Sequence, residues 1–161
     1  MFTLTVEKNM KIILLITTLL IFPLYSTAHK FEAKYAIIDH PWLRIAGEQS
    51  ITAAGYFELT NKLNKPIILI GAKAEFAKII EIHEMKMENG VAKMRPINEG
   101  LTVEKSKTIE LKPMGLHLMF MGINQTLKKG EMMEVELIFE NLPSVIVKFK
   151  VDMMKQSKDH H

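Results

Sequence analysis

The chain has 161 residues, with 21 Lys and Arg against 18 Asp and Glu, a formal charge of +3, and no cysteine. That length suits one domain, and 48% hydrophobic with 24% charged residues excludes general disorder. The missing thiol excludes a disulfide framework, a thiolate nucleophile, cysteine-held zinc or iron–sulfur, a blue-copper centre and a lipidated cysteine, whereas 12 Met and 6 His raise the question of a soft metal.

The first element is an export signal. Lys11 supplies a short positive region, Ile12 to Leu24 is almost unbroken apolar, and Ser26-Thr27-Ala28 offers small residues for cleavage. Residues 1–28 are therefore expected to be a signal peptide, with Met10 as the natural start and removal after Ala28. The apolar run is shorter than the roughly 20 residues of a membrane span, so no stable membrane insertion is expected after cleavage; an uncleaved anchor is the alternative. Residues 29–154 are read as the working domain and 155–161 as a polar tail. Charges in the domain are interspersed, without a basic stripe or aromatic platform, which argues against nucleic-acid binding.

From residue 29 onward the pattern has period two. Phe31, Ala33, Tyr35 and Ile37 alternate with Glu32 and Lys34. Ala54 to Leu59 leads into the polar turn Thr60-Asn61-Lys62, and Pro66 opens the run Ile67 to Ile70. Met133, Val135, Leu137 and Phe139 alternate, as do Val145, Val147, Phe149 and Val151. Asn89-Gly90, Pro113-Met114-Gly115, Lys129-Gly130 and Asn141-Leu142-Pro143 supply turns. Only Ala74 to Lys78 hints at a helical turn, and His40-Pro41-Trp42 reads as a loop. Seven or eight short strands predict an all-β antiparallel sandwich.

Two segments carry chemistry. In Leu116 to Met121, the side chains of Leu116, Leu118 and Phe120 share the face a core requires, so His117, Met119 and Met121 point the other way. In Lys78 to Met85, Glu81, His83 and Met85 share one face. The Asn89-Gly90 pair suits a two-residue type I′ hairpin, which would set Met85 opposite Met94 and bring Met94 diagonal to His83; a slip of one residue would undo this. Thioether with imidazole is a donor set for soft Cu(I) rather than for a hard cation. Zinc would recruit carboxylates, and Glu81 and Glu84 are available to it.

These segments resemble the periplasmic copper chaperone family called PCuAC, associated with assembly of the CuA centre of cytochrome c oxidase. The family motif runs His, ten residues, Met, twenty-one residues, His-x-Met. His83 and Met94 stand ten residues apart, and His117-Leu118-Met119 supplies the close. His83-Glu84, Gly90-Val91, Met94-Arg95-Pro96, Gly100-Leu101, Leu111-Lys112-Pro113 and Gly115-Leu116-His117 extend the likeness. The interval from Met94 to His117 holds twenty-two residues, one more than the pattern; the extra residue is expected in Ile97 to Gly100, where insertion is tolerated.

The resemblance implies a cupredoxin-like Greek-key β-sandwich and a non-enzymatic periplasmic carrier. One Cu(I) would be held by His83, Met94, His117 and Met119. Its partner would be an apo-cytochrome c oxidase copper subunit or a second copper chaperone, and the carrier itself a monomer. Met85 and Met121 are secondary candidates by their faces, Met114 a shielding residue at most, and His160 with His161 a weak Cu(II) site in the tail. His29, if first after cleavage, could chelate Cu(II) as in a copper oxygenase, but only His40 remains as a second histidine. Competing classes are a copper-buffering or resistance protein and a metal-free exported interaction module.

Overall fold

A computed structural model describes residues 30–153. The expected signal segment 1–28, His29, and the tail 155–161 with His160 and His161 lie outside the described residues. Among the described residues there are eleven strands and no helix. They are β1 (Lys30–Glu32), β2 (Ala36–Ile45), β3 (Thr52–Asn61), β4 (Ile67–Lys73), β5 (Ala77–Glu88), β6 (Val91–Pro96), β7 (Leu101–Val103), β8 (Thr108–Leu111), β9 (Leu116–Ile123), β10 (Met132–Phe139) and β11 (Val145–Met153).

Where strands are regular, the alternation decides which side chains are inside. Leu118 and Phe120 of β9, Met133, Val135, Leu137 and Phe139 of β10, and Val147, Phe149 and Val151 of β11 are all buried. Elsewhere the expectation needs correction. The single strand foreseen through Phe31 to Ile37 is a hairpin. The Ala33 amide donates to the Ala36 carbonyl at 2.9 Å, β1 folds back on β2, and Ala36 and Ile38 enter the core while Ile37 stays half-buried. His40-Pro41-Trp42 is no loop but a bulge inside β2, where the register with β3 shifts between Asp39 and Trp42 and His40 takes φ +48°. The helical hint at Ala74 to Lys78 is a tight turn at Ala74 to Phe76 followed by the first two residues of β5, because one isolated turn cannot offset the cost of helix nucleation.

The strands hydrogen-bond in the order β6-β5-β9-β3-β2-β11-β10-β4-β7, with β1 on β2 and β8 on β3. All pairings are antiparallel except β2 with β11, which is parallel. The β2–β3 pair turns the corner of the sandwich. Ile37–Asp39 edges face β1 and Trp42–Ile45 face β11; Thr52–Gly55 face β9 and Phe57–Thr60 face β8. Strands that change partners at a bulge are how packed sheets make corners. Phe120 and Phe149 meet over Gly55 with ring centroids 6.3 Å apart. A Cβ on Gly55 would lie 2.7 Å from the Phe120 ring, so only glycine leaves room there. Asn61, 1% exposed, ties the far end: its Nδ2 donates to the Lys65 and Val103 carbonyls at 2.8 and 3.0 Å, and its Oδ1 accepts from the Leu63 amide at 2.8 Å.

Candidate metal centre

The face opposite the core, across β6, β5, β9, β3 and β2, arranges its side chains in rows of in-register residues. One row is made of rings. His83 sits opposite His117 with centroids 5.7 Å apart, Tyr56 lies 6.3 Å beyond His117, and Trp42, opposite Tyr56, lies 4.6 Å from it with the two rings tilted by 39°. The next row runs Glu81, Met119, Ala54, Arg44. On the other side of the histidines Met85 faces Met94. That pairing is the one a two-residue turn dictates, and Asn89 and Gly90 take φ +53° and +79°, both positive as type I′ requires.

The small Ala54 side chain, set among long ones, leaves a hollow. A cavity of about 260 Å³ is lined by Met85, Met94, Met114, His117 and Met119, with Tyr56 and Arg44 at its side. The structure thus brings Met94, His117, Met119 and Met85 to one cavity, with His83 packed against His117. Met121 lies one row further, in register with Thr52 and Ile79, and does not line it. The turn at Ile97 to Gly100 lies between β6 and β7, with Gly100 at φ +80°. By contrast, β9 keeps unbroken register with β5 from Ile79 opposite Met121 to Glu84 opposite Leu116. The longer interval before His117 therefore leaves the facing of β9 intact.

The histidine hydrogen bonds prepare two lone pairs. His117 Nδ1 lies 3.1 Å from the Gly115 carbonyl, an acceptor only, so Nδ1 carries the hydrogen and Nε2 the lone pair. His83 Nε2 lies 2.8 Å from a Glu81 carboxylate oxygen, so Nε2 donates. His83 Nδ1 is then buried with no partner among the described residues, a costly arrangement for a polar atom unless it has another use. A carboxylate or carbonyl holding the outer nitrogen is the usual support of a metal-ligating imidazole. A metal about 2 Å from one nitrogen of each ring is compatible with rings 5.7 Å apart.

His117 is only 3% exposed, because Tyr56 and His83 flank it. Burial pushes its pKa below the ordinary histidine value; the bond to Gly115 opposes this and the His83 charge reinforces it. The ring is thus held neutral, the form that binds metal. Burial also raises the Tyr56 pKa, against an opposing pull from Arg44. Among the described residues no group of three or more His, Asp or Glu converges on one point. The donors present are thioethers and imidazoles, which suit a soft ion better than zinc.

The family described as "Putative lipoprotein LpqE-like" matches residues 37–151, most of the chain. The chain belongs to the LpqE-like family. Among curated relatives, "Putative lipoprotein Lxx21020" of Leifsonia xyli subsp. xyli is 28% identical over 104 residues, covering 65% of this chain and 61% of that one. The chain spans less than two thirds of the length of the curated relatives it matches. Its fold is that of PCuAC domains, a cupredoxin-like sandwich. A copper-bound PCuAC domain from PmoF2 superposes with TM-score 0.67 at 22% identity, covering 78% of this chain and 99% of that one. The Cu(I) form of DR1885 from Deinococcus radiodurans gives TM-score 0.54 at 25% identity, over 78% and 82%. The family description speaks of a lipoprotein, but these 161 residues of the LpqE-like chain hold no cysteine to carry a lipid.

Sequence reasoning missed several neighbours in this LpqE-like site. Met114, read as a shield at most, lines the cavity itself; its position in a turn gave no alternation to read. Trp42 and Arg44 carried no visible signal, because the β2 bulge switches which parity faces outward, and Tyr56 carried none, because its closeness to His117 joins strands far apart in sequence.

Proposed function

We propose that this protein is an exported, non-catalytic carrier that binds one Cu(I) through His83, Met94, His117 and Met119 and passes it on. The observation that carries this reading is the pair of cross-strand imidazoles beside a thioether-lined hollow, one with a buried, unpartnered Nδ1. A soft d¹⁰ ion is the cargo that such neutral donors favour. The copper-bound state of structural neighbours supports the same choice, and the lipoprotein names of the family and of one relative agree with export directed by residues 1–28.

Release follows from the same ligands. Met94 is 44% exposed, so an incoming thiolate, the stronger soft donor, can replace the thioethers one at a time while the buried His117 holds the ion last. An acceptor of this kind is the copper subunit of cytochrome c oxidase before its CuA centre forms, or a second chaperone. Titration against a Cu(I) chelator should give one ion per chain. Replacing Met94 and Met119 together by Leu should weaken Cu(I) at least about tenfold, as loss of roughly 1.4 kcal/mol would. Unchanged affinity in that variant would sink the site. Transfer of Cu(I) to an apo-CuA fragment tests delivery, and retention against it would make the protein a store.

A further inference from the structure

The cavity holds more soft donors than one copper ion requires. If the inner site takes Met94 and Met119 with two imidazoles, Met85 and Met114 remain, both lining the same hollow. Neither is a core residue. Met114 is 65% exposed and sits at φ +64°, a left-handed conformation uncommon outside glycine, asparagine and aspartate. The turn carrying it is pinned to β5, since the Met85 amide donates to the Gly115 carbonyl at 3.1 Å. That bond lies where Met85 faces Met94. Three thioethers, from β5, β6 and the turn before β9, are thus gathered at the solvent mouth of the cavity, outside the histidine pair.

We infer that Met85, Met94 and Met114 form an outer, all-thioether Cu(I) site that receives the ion before it reaches the histidines. This rests on the inner-site reading above. The inward step is ligand exchange: Met94 stays bound while the Met85 and Met114 sulfurs are replaced by His83 Nδ1, His117 Nε2 and the Met119 sulfur. Neutral donors replace neutral donors on a d¹⁰ ion, so no electron or proton moves. Thioethers are soft but weak, so the outer site captures the ion without trapping it, and the step inward is downhill.

The test uses protein purified after export, labelled with ¹³C at the methionine methyls, and Ag(I) as a redox-inert soft probe. In the His83→Ala/His117→Ala variant, one equivalent of Ag(I) is expected to shift the methyl signals of Met85, Met94 and Met114 together. Methyls of Met85 and Met114 that stay still would overturn the inference. Should that variant fail to fold, Met85→Leu/Met114→Leu in the otherwise intact protein supplies the second measurement. Its equilibrium Cu(I) affinity should be kept while loading from a Cu(I) chelator, followed by stopped flow, becomes slower; loading at the unaltered rate would overturn the inference as well. Failure of the inner site registers separately, as unchanged Cu(I) affinity in the Met119→Leu variant, which leaves all three outer thioethers in place.

Discussion

At the scale of single residues, His117 couples the cavity to acidity. Its pKa is lowered chiefly by burial, so between the folded value and the ordinary histidine value near 6.5 the unfolded chain binds a proton that the folded chain refuses. By linkage, stability is unaffected by this group above that range and falls as pH drops through it. Urea unfolding of the metal-free protein should therefore show a loss of stability from pH 7.5 to 5.5, and His117→Gln should reduce that loss. An equal loss in both proteins would remove His117 as its source. Bound Cu(I) should raise stability overall but carry the loss on to lower pH, since an ion on Nε2 keeps the folded chain from taking that proton. Of the candidate residues, the facing of His83, His117 and Met119 was legible from alternation, and the motif singled them out from Glu81, Met85 and Met121 on the same faces. Met94 needed one further fact, the Asn89-Gly90 turn. Tyr56 and Trp42 were not legible, because their closeness to His117 is a cross-strand relation between segments far apart in sequence.

At the scale of elements, the β5–β6 hairpin is the part whose geometry the proposed site depends on most directly. Its two faces are sorted. Lys93 and Arg95 pair with Glu88 at 2.8 and 2.9 Å on one side, while Met85 and Met94 look into the cavity on the other. Because side chains alternate, inserting one glycine between Asn89 and Gly90 should either slip the pairing or turn Met94 to the charged side. The same insertion between Asn98 and Glu99 falls in a turn and should leave Met94 and His117 where they are. The expected outcome is a sharp loss of Cu(I) affinity for the first insertion and near-normal affinity for the second, with similar circular dichroism. Equal affinities would show that Met94 is not held by the hairpin register. The hairpin was readable because one local dipeptide decides it. The β1–β2 turn and the His40 bulge were not, since Phe31 to Ile37 alternates convincingly in sequence and only tertiary pairing reverses the chain after Glu32.

At the scale of the whole molecule, core and cavity share strands. β3 and β9 bury Phe57, Leu118 and Phe120 on one side and present Tyr56, His117 and Met119 on the other, so the packing over Gly55 also fixes the height of the site. Gly55→Ala pushes a methyl group against the Phe120 ring and should destabilise the fold by about 1–3 kcal/mol, read as a lower urea midpoint with unchanged slope. No measurable change would mean that the rings yield freely. The sandwich class was legible from strand count and turns, whereas the parallel β2–β11 contact was not, since nothing local in either strand specifies its partner. The row of rings from Trp42 through Tyr56 to His117 and His83 has an optical consequence. Trp42 is the single tryptophan of the chain, so all indole emission originates one ring, that of Tyr56, away from the histidines. Cargo arriving at His117 should alter the intensity or colour of that emission in proportion to filling, and Trp42→Phe should abolish the signal without emptying the site. The protein would then carry its own fluorescent gauge of occupancy, readable without any added dye.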